Sequence, residues 1–273
     1  MIKFKPDIKP LVKWAGGKTQ LLNEIIPMLP KEYNTYYEPF IGGGALYFAL
    51  HPEKAVINDY NVQLINLYKQ CRDNPNELLA HMDRLTEEHI NSKEYFNSVR
   101  SKFNVCLKEN ELSIESAALL VYLNKSCFNG LYRLNSKGEF NTPSGHKEKV
   151  NLYDTKNFKD VSMTLKNATI MSGDFEKACE NAKAGDFVFF DSPYYNTFDT
   201  YQAGGFSEND HKRLANLFKE LTQKGVYCML TNSNEDFIKE LYKDYKIKVV
   251  QVKRMINCDE KNRKGVEIIV TNY

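Results

Sequence analysis

No run of about 18 or more apolar residues occurs in the 273-residue chain, which removes a membrane-spanning helix from consideration. The opening Met1-Ile2-Lys3-Phe4-Lys5-Pro6 has no apolar core of the kind a signal peptide carries, so a soluble cytoplasmic protein is expected. Cysteine is sparse and scattered, at positions 71, 106, 127, 179, 228 and 258, with no Cys-x-x-Cys pair. That spacing argues against both a zinc site and a disulfide framework, and reduced thiols are the expectation. The five histidines show no ligand spacing either, so no metal is expected. An excess of charge of one sign is missing too: the formal net charge is +2. Any affinity for nucleic acid must then come from local patches. Internal repeats and low-complexity segments are absent, which excludes a repeat architecture. What remains is a chain with 42% hydrophobic content, enough for one α/β core and a small appended module.

The most informative stretch is Gly185-Asp186-Phe187-Val188-Phe189-Phe190 followed by Asp191-Ser192-Pro193-Tyr194. The apolar run entered from a glycine reads as a buried strand. It delivers an acid, a proline and an aromatic ring at its carboxyl end, where open α/β sheets place ligand-binding residues. A carboxylate beside an aromatic face suits a planar amine. Because Asp191 stands at a strand end, its removal is expected to spare the fold.

Upstream, Tyr36-Tyr37-Glu38-Pro39-Phe40-Ile41-Gly42-Gly43-Gly44 reads as a strand, an acid and a glycine turn, with Ala45 to Leu50 continuing as a helix. Glycines at a strand-to-helix turn allow a ligand close to the backbone. Asp59 then ends another short strand, Ala55-Val56-Ile57-Asn58, roughly 20 residues past the glycines, a spacing at which an acid commonly holds ribose hydroxyls. A third cluster, Lys13-Trp14-Ala15-Gly16-Gly17-Lys18-Thr19, mimics a phosphate-binding P-loop. The P-loop requires a glycine where this chain has Val12, and a strand ahead of it where Lys5 to Pro10 carries two prolines. An ATPase is therefore rejected.

Between these parts the pattern changes. Val62 to Leu85, Lys93 to Leu107 and Ser116 to Tyr122 have helical apolar spacing, and Asn135 to Gly145 has the glycine turns of a hairpin. Further on, His211 to Gln223 reads as an amphipathic helix and Val226 to Leu230 as a buried strand. Lys246 to Met255 and Gly265 to Tyr273 read as two strands joined by a charged loop.

The series KWAGGK, EPFIGGGALYF, NDYN, FNGLYRLNSKGEFNTPSG, GDF, DSPYY and LTNS, in that order, resembles the DNA adenine methyltransferase (Dam) family over nearly the whole chain. The resemblance implies an α/β fold: a Rossmann-like methyltransferase sheet with an antiparallel C-terminal hairpin, plus an inserted, mostly helical target-recognition domain. Residues 1–60 and 154–273 would form the catalytic domain and 61–153 the recognition domain. It implies S-adenosyl-L-methionine as cofactor, held by Trp14, Lys18, Glu38, Phe40, Gly42, Gly44, Asp59, Asp174, Phe175 and Asp191. Phe175 would pack on the cofactor adenine with Asp174 at its polar edge, although a strand-end phenylalanine also reads as core. Asp191, Ser192, Pro193 and Tyr194 would be catalytic, acting on N6 of a flipped-out adenine, with GATC as the expected target. The expected partner is double-stranded DNA, bound by a bacterial or phage-encoded monomer with no membrane and no metal.

By the same resemblance Lys13, Arg133, Asn135 and Pro143 would face bases, Phe128 with Asn129 would wedge into the duplex or contact the orphaned partner base, and Arg100 and Lys125 would meet phosphates. Two departures stand out. Ser192 replaces the proline usual in the family, which removes a fixed φ but keeps the backbone carbonyl. Ser144-Gly145-His146 replaces the Phe-Gly-Arg found in many GATC-specific members, which leaves the target open. Methylation of RNA adenine or of a protein glutamine, and a non-catalytic DNA-binding regulator, are the alternatives.

Overall fold

The computed structural model describes residues 7–196, 205–253 and 264–273. The end of the sequence-assigned strand at Met255 and the charged loop after it lie outside these residues, as do Met1 to Pro6 and Cys258.

Four parallel and two antiparallel strand pairings make a seven-stranded sheet. β1 (Tyr36–Glu38) leads through the glycine turn into α2 (Ala45–Leu50), after the short α1 (Leu22–Ile25), and β2 (Ala55–Asp59) follows. A helical stretch comes next: α3 (Val62–Asp73), α4 (Pro75–Glu87), α5 (Lys93–Glu109) and α6 (Ile114–Ser126). The sequence pattern from Val62 to Leu85 reads as one helix, but the structure divides it. Asn74 leaves helical geometry at φ −129°, and Pro75, which fixes its own φ and lacks an N–H, opens α4. The chain returns through α7 (Thr155–Leu165), β3 (Ala168–Ser172), α8 (Phe175–Cys179) and β4 (Phe187–Phe190). It finishes with α9 (Glu208–Gln223), β5 (Tyr227–Ser233), α10 (Asp236–Leu241), β6 (Lys246–Lys253) and β7 (Lys264–Thr271).

The strand order is β3-β2-β1-β4-β5-β7-β6. β7 runs antiparallel to both β5 and β6, so the hairpin expected from sequence closes the sheet. Side chains alternate across β4: Phe187 and Phe189 join one apolar cluster, Val188 and Phe190 the other. The first cluster is covered by α2, α3 and α7, the second by α8, α9 and α10. Burial on both faces explains why β4 reads as an unbroken apolar run and not as an alternation. The first cluster continues without a break from Ile57 in the sheet to Phe103 in α5 and Leu120 in α6. The five described cysteines are free and buried.

Candidate active site

The sheet reverses its direction of winding between β1 and β4, and such switch points open a crevice at the carboxyl ends of the strands. Glu38 ends β1 and Asp191 follows β4, so both acids stand at that crevice. Lys18 reaches them from the N-terminal glycine loop. Its ammonium lies 2.6 Å from Asp191 Oδ1, and the two side chains are 5% and 17% exposed. It also donates to the Gly16 carbonyl and sits 4.8 Å from the centre of the Tyr194 ring.

Asp191 is held from a second side, where Thr231 Oγ1 donates to the same Oδ1 at 2.8 Å. Oδ2 is the acceptor position left at the crevice. Burial pushes the Asp191 carboxyl above the usual carboxylate range, while the Lys18 ammonium and the Thr231 hydroxyl pull it back. Removing Asp191 therefore bears on stability as well as on chemistry. A buried Lys18 left without its partner costs about 3–5 kcal/mol. Glu38 is 2% exposed and accepts from the Tyr36 hydroxyl at 2.7 Å. Burial, reinforced by the Asp191 charge, raises its pKa well above normal against the opposing Tyr36 hydrogen bond. Tyr194 donates to Glu267 Oε2 on β7 at 2.7 Å, which fixes the tilt of its ring.

The glycine turn is braced by the next strand. Asp59 accepts from Gly42 N and from Asn61 N, each at 2.9 Å. The buried Asn58 donates to Pro39 O and to Gly173 O, both at 2.9 Å, which ties the turns after β1 and β3 together. The Tyr68 hydroxyl donates to the Gly42 carbonyl at 2.6 Å. Gly42 and Gly44 have φ of 46° and 72°, and a Cβ on Gly42 would come within 2.9 Å of Trp14 Cδ1. Glycine is required there by conformation and by space. Trp14 thus reaches the glycine turn as the sequence suggests, and its ring stacks on Tyr132 at 5.1 Å.

Phe175 and Asp174 stand where β3 gives way to α8. Phe175 opens α8 and is 5% exposed, with its ring packed against Phe40, Phe206 and the Arg213 guanidinium. Its ring is buried, whereas Phe40 and Phe206 beside it are half-buried. Asp174 caps α8 through Glu176 N and pairs with Arg213 at 2.8 Å, so its carboxylate is already engaged.

A second group of the expected residues gathers around the end of α6. Asn124 accepts from Lys13 N and donates to the carbonyls of Lys13 and Gly130, which staples the N-terminal loop to the loop after α6. Phe128 is 57% exposed, and Asn129 adopts a left-handed φ of 55°. Phe128 N bonds to Pro143 O, and Gly145 N to Ser126 O, so wedge and hairpin form one surface. Arg133 is half-buried and gives two N–H groups to Asn141. Lys125 is half-buried; its pKa is lowered by burial first, then by the ammonium groups of Lys13 and Lys147. Asn135 organises the hairpin turn: its oxygen accepts from Lys137 N and Glu139 N, and its amide donates to Glu139. Arg100, on α5, lies beside Phe96, one turn from Asn104, which bonds to Phe140 of the hairpin.

Sequence reasoning passed over Thr231, Glu267, Asn58, Asn124 and Tyr132. The strings NDYN and LTNS contain two of them, but a hydrogen-bond partner 40 residues away carries no local signal. Among the described residues, no group of three or more His, Cys, Asp and Glu is arranged to hold a metal ion, and no helix is long and apolar enough to cross a membrane.

The chain matches the family model of the D12 class N6 adenine-specific DNA methyltransferases over residues 14–256. It is 44% identical to the type II methyltransferase M1.LlaDCHI of Lactococcus lactis subsp. cremoris, over 99% of this chain and 98% of that protein. It is 39% identical to the type II methyltransferase M.MjaIII of Methanocaldococcus jannaschii, over 98% and 100%. To the DNA adenine methylase of Haemophilus influenzae it is 30% identical, over 99% and 96%. The chain belongs to the D12 class of N6 adenine-specific DNA methyltransferases and is an adenine-specific DNA methyltransferase.

Proposed function

We propose that the protein transfers a methyl group from S-adenosylmethionine to N6 of an adenine swung out of duplex DNA, with GATC as the target sequence. The observation that carries the reading is the crevice between β1 and β4. Asp191 stands there with Oδ1 fixed by Lys18 and Thr231, beside the ring of Tyr194. Tyr194 stacks on the extruded base, a contact worth about 1–3 kcal/mol. Asp191 and the Ser192 carbonyl accept hydrogen bonds from the two N6–H groups, which draws the nitrogen lone pair out of conjugation with the ring. As the N6–methyl bond forms and the sulfur–methyl bond breaks, one N6 proton is lost to Asp191 or to solvent and the other stays on the product. No covalent intermediate is needed, and positioning with electrostatics carries the rate.

S-adenosylmethionine fits the glycine turn. Gly42 and Gly44 keep the backbone bare, Gly173 has open space where a Cβ would point, and Asp59 is held at the strand end by two N–H groups. Trp14, Lys18, Glu38, Phe40, Gly42, Gly44 and Asp59 hold it, and when bound it supplies an electrophilic methyl on sulfur.

Residues 61–153 act as the recognition module. The mutual repulsion of Lys13, Lys125 and Lys147 favours a phosphate among them. Arg133 reads a guanine edge with the donors that Asn141 does not use, and the exposed Phe128 fills the gap left by the base. Base-resolution mapping of N6-methyladenine in DNA from cells that express the protein tests the target. Methylation confined to GATC is the expected result, and another motif replaces it. A parallel panel of duplex DNA, RNA and peptide substrates separates the reading from RNA or glutamine methylation. Cofactor binding without turnover on any of them marks a non-catalytic regulator.

A further inference from the structure

β4 and β5 pair in parallel register as far as Phe190 opposite Leu230. Beyond that point the chain after β4 leaves the sheet, and side chains of β5 replace the backbone ladder. Thr231 donates to Asp191, as described. Asn232 Nδ2 donates to Ser192 Oγ at 3.3 Å, and Asn232 Oδ1 accepts from Tyr195 N at 3.1 Å. Ser233 Oγ donates to Tyr195 O at 3.1 Å. Ser192 and Asn232 are 2% and 1% exposed, so water does not compete for the pair. Three consecutive residues of β5 therefore hold the segment from Asp191 to Tyr195.

We infer that Asn232 is a positioning residue for methyl transfer, holding Ser192 by its hydroxyl so that the Ser192 carbonyl stays aimed at the incoming amine. A proline at this place fixes the backbone by its ring; here a cross-strand side-chain hydrogen bond does so. The inference rests on the reading of Asp191 to Tyr194 as the methyl-transfer centre. Asn232 touches no reacting atom; its amide oxygen also accepts from Ser233 N and Oγ, and it reaches the site through Ser192 and Tyr195.

The test measures single-turnover methyl transfer by the full chain, with saturating S-adenosylmethionine and genomic DNA free of adenine methylation as the substrate. Ser192→Ala should slow the chemical step about 10-fold, the equivalent of one lost hydrogen bond, while cofactor affinity by calorimetry stays within about 2-fold. Ser192→Pro also lacks the hydroxyl but restricts φ, and should run at least about 5-fold faster than Ser192→Ala. Asn232→Ala should be slowed as much as Ser192→Ala or more, and adding Ser192→Pro should raise its rate. If Asn232→Ala does not fold, the contrast between the two Ser192 variants decides alone. Ser192→Ala at the wild-type rate, or Ser192→Pro no faster than Ser192→Ala, overturns the inference. Activity retained by Asp191→Asn in the same assay would instead overturn the site itself.

Discussion

Asp191 is subject to opposing influences, and their signs give a pH prediction. Burial raises its pKa, while Lys18 and Thr231 lower it. The ionised carboxylate is the form that accepts an N6 proton, so the rate should fall on acidification at a pH above that of an ordinary aspartate. Replacing Lys18 by methionine removes the cation that favours ionisation, and the acid limb should move to still higher pH. Single-turnover rates across pH at saturating cofactor check this, and a limb that stays put or moves down contradicts it. Asp191 was legible in the sequence because strand, acid, proline and ring are consecutive. Its partners were not: Thr231 lies 40 residues away and Glu267 lies 73 residues from Tyr194, distances that only sheet register closes. The burial of Phe175 was hidden for a related reason, since the packing around it comes from residues as distant as Phe206 and Arg213.

Among the elements, the glycine turn after β1 and the strand end of β2 behave as one unit, because Asp59 bonds to Gly42 N. Asp59→Ala should weaken S-adenosylmethionine binding by about 1.5–3 kcal/mol, as for a hydrogen bond to a charged group. DNA binding without cofactor should hardly change; equal loss of both in calorimetry would indicate a folding defect. At the end of α6, Arg133→Ala and Lys125→Ala should fail differently. The first should cost about 1–3 kcal/mol on the true site and relax preference at one base position. The second should weaken all sequences alike and reduce the salt slope of log K by about 0.9. Binding to single-base variants at several salt concentrations reads both, and identical behaviour would make Arg133 a backbone clamp. The helix spans here were legible from apolar spacing, whereas the division at Asn74 was hidden by a pattern that continues through it. The glycine turns of the hairpin were legible too, but the part Asn135 plays in them was not, because it rests on bonds to Lys137 and Glu139.

Across the molecule, one apolar cluster joins the sheet to α5 and α6. The protein should therefore unfold in a single thermal transition, and Leu120→Ala, fully buried in α6, should lower that whole transition by about 2–5 kcal/mol. Two separate transitions in calorimetry would show that residues 61–153 fold independently. Several strands of the sheet were readable from buried runs ending in acids and glycines, whereas the antiparallel closing hairpin came from the family resemblance. The most direct test of the account is nucleoside analysis of adenine-methylation-free duplex DNA after incubation with the purified protein and S-adenosylmethionine. The wild-type chain should accumulate N6-methyldeoxyadenosine, and Asp191→Asn, which keeps a side chain beside Lys18, should accumulate it at least about 100-fold more slowly. Accumulation by Asp191→Asn at the wild-type rate, or methyl groups found only on another base, would contradict it.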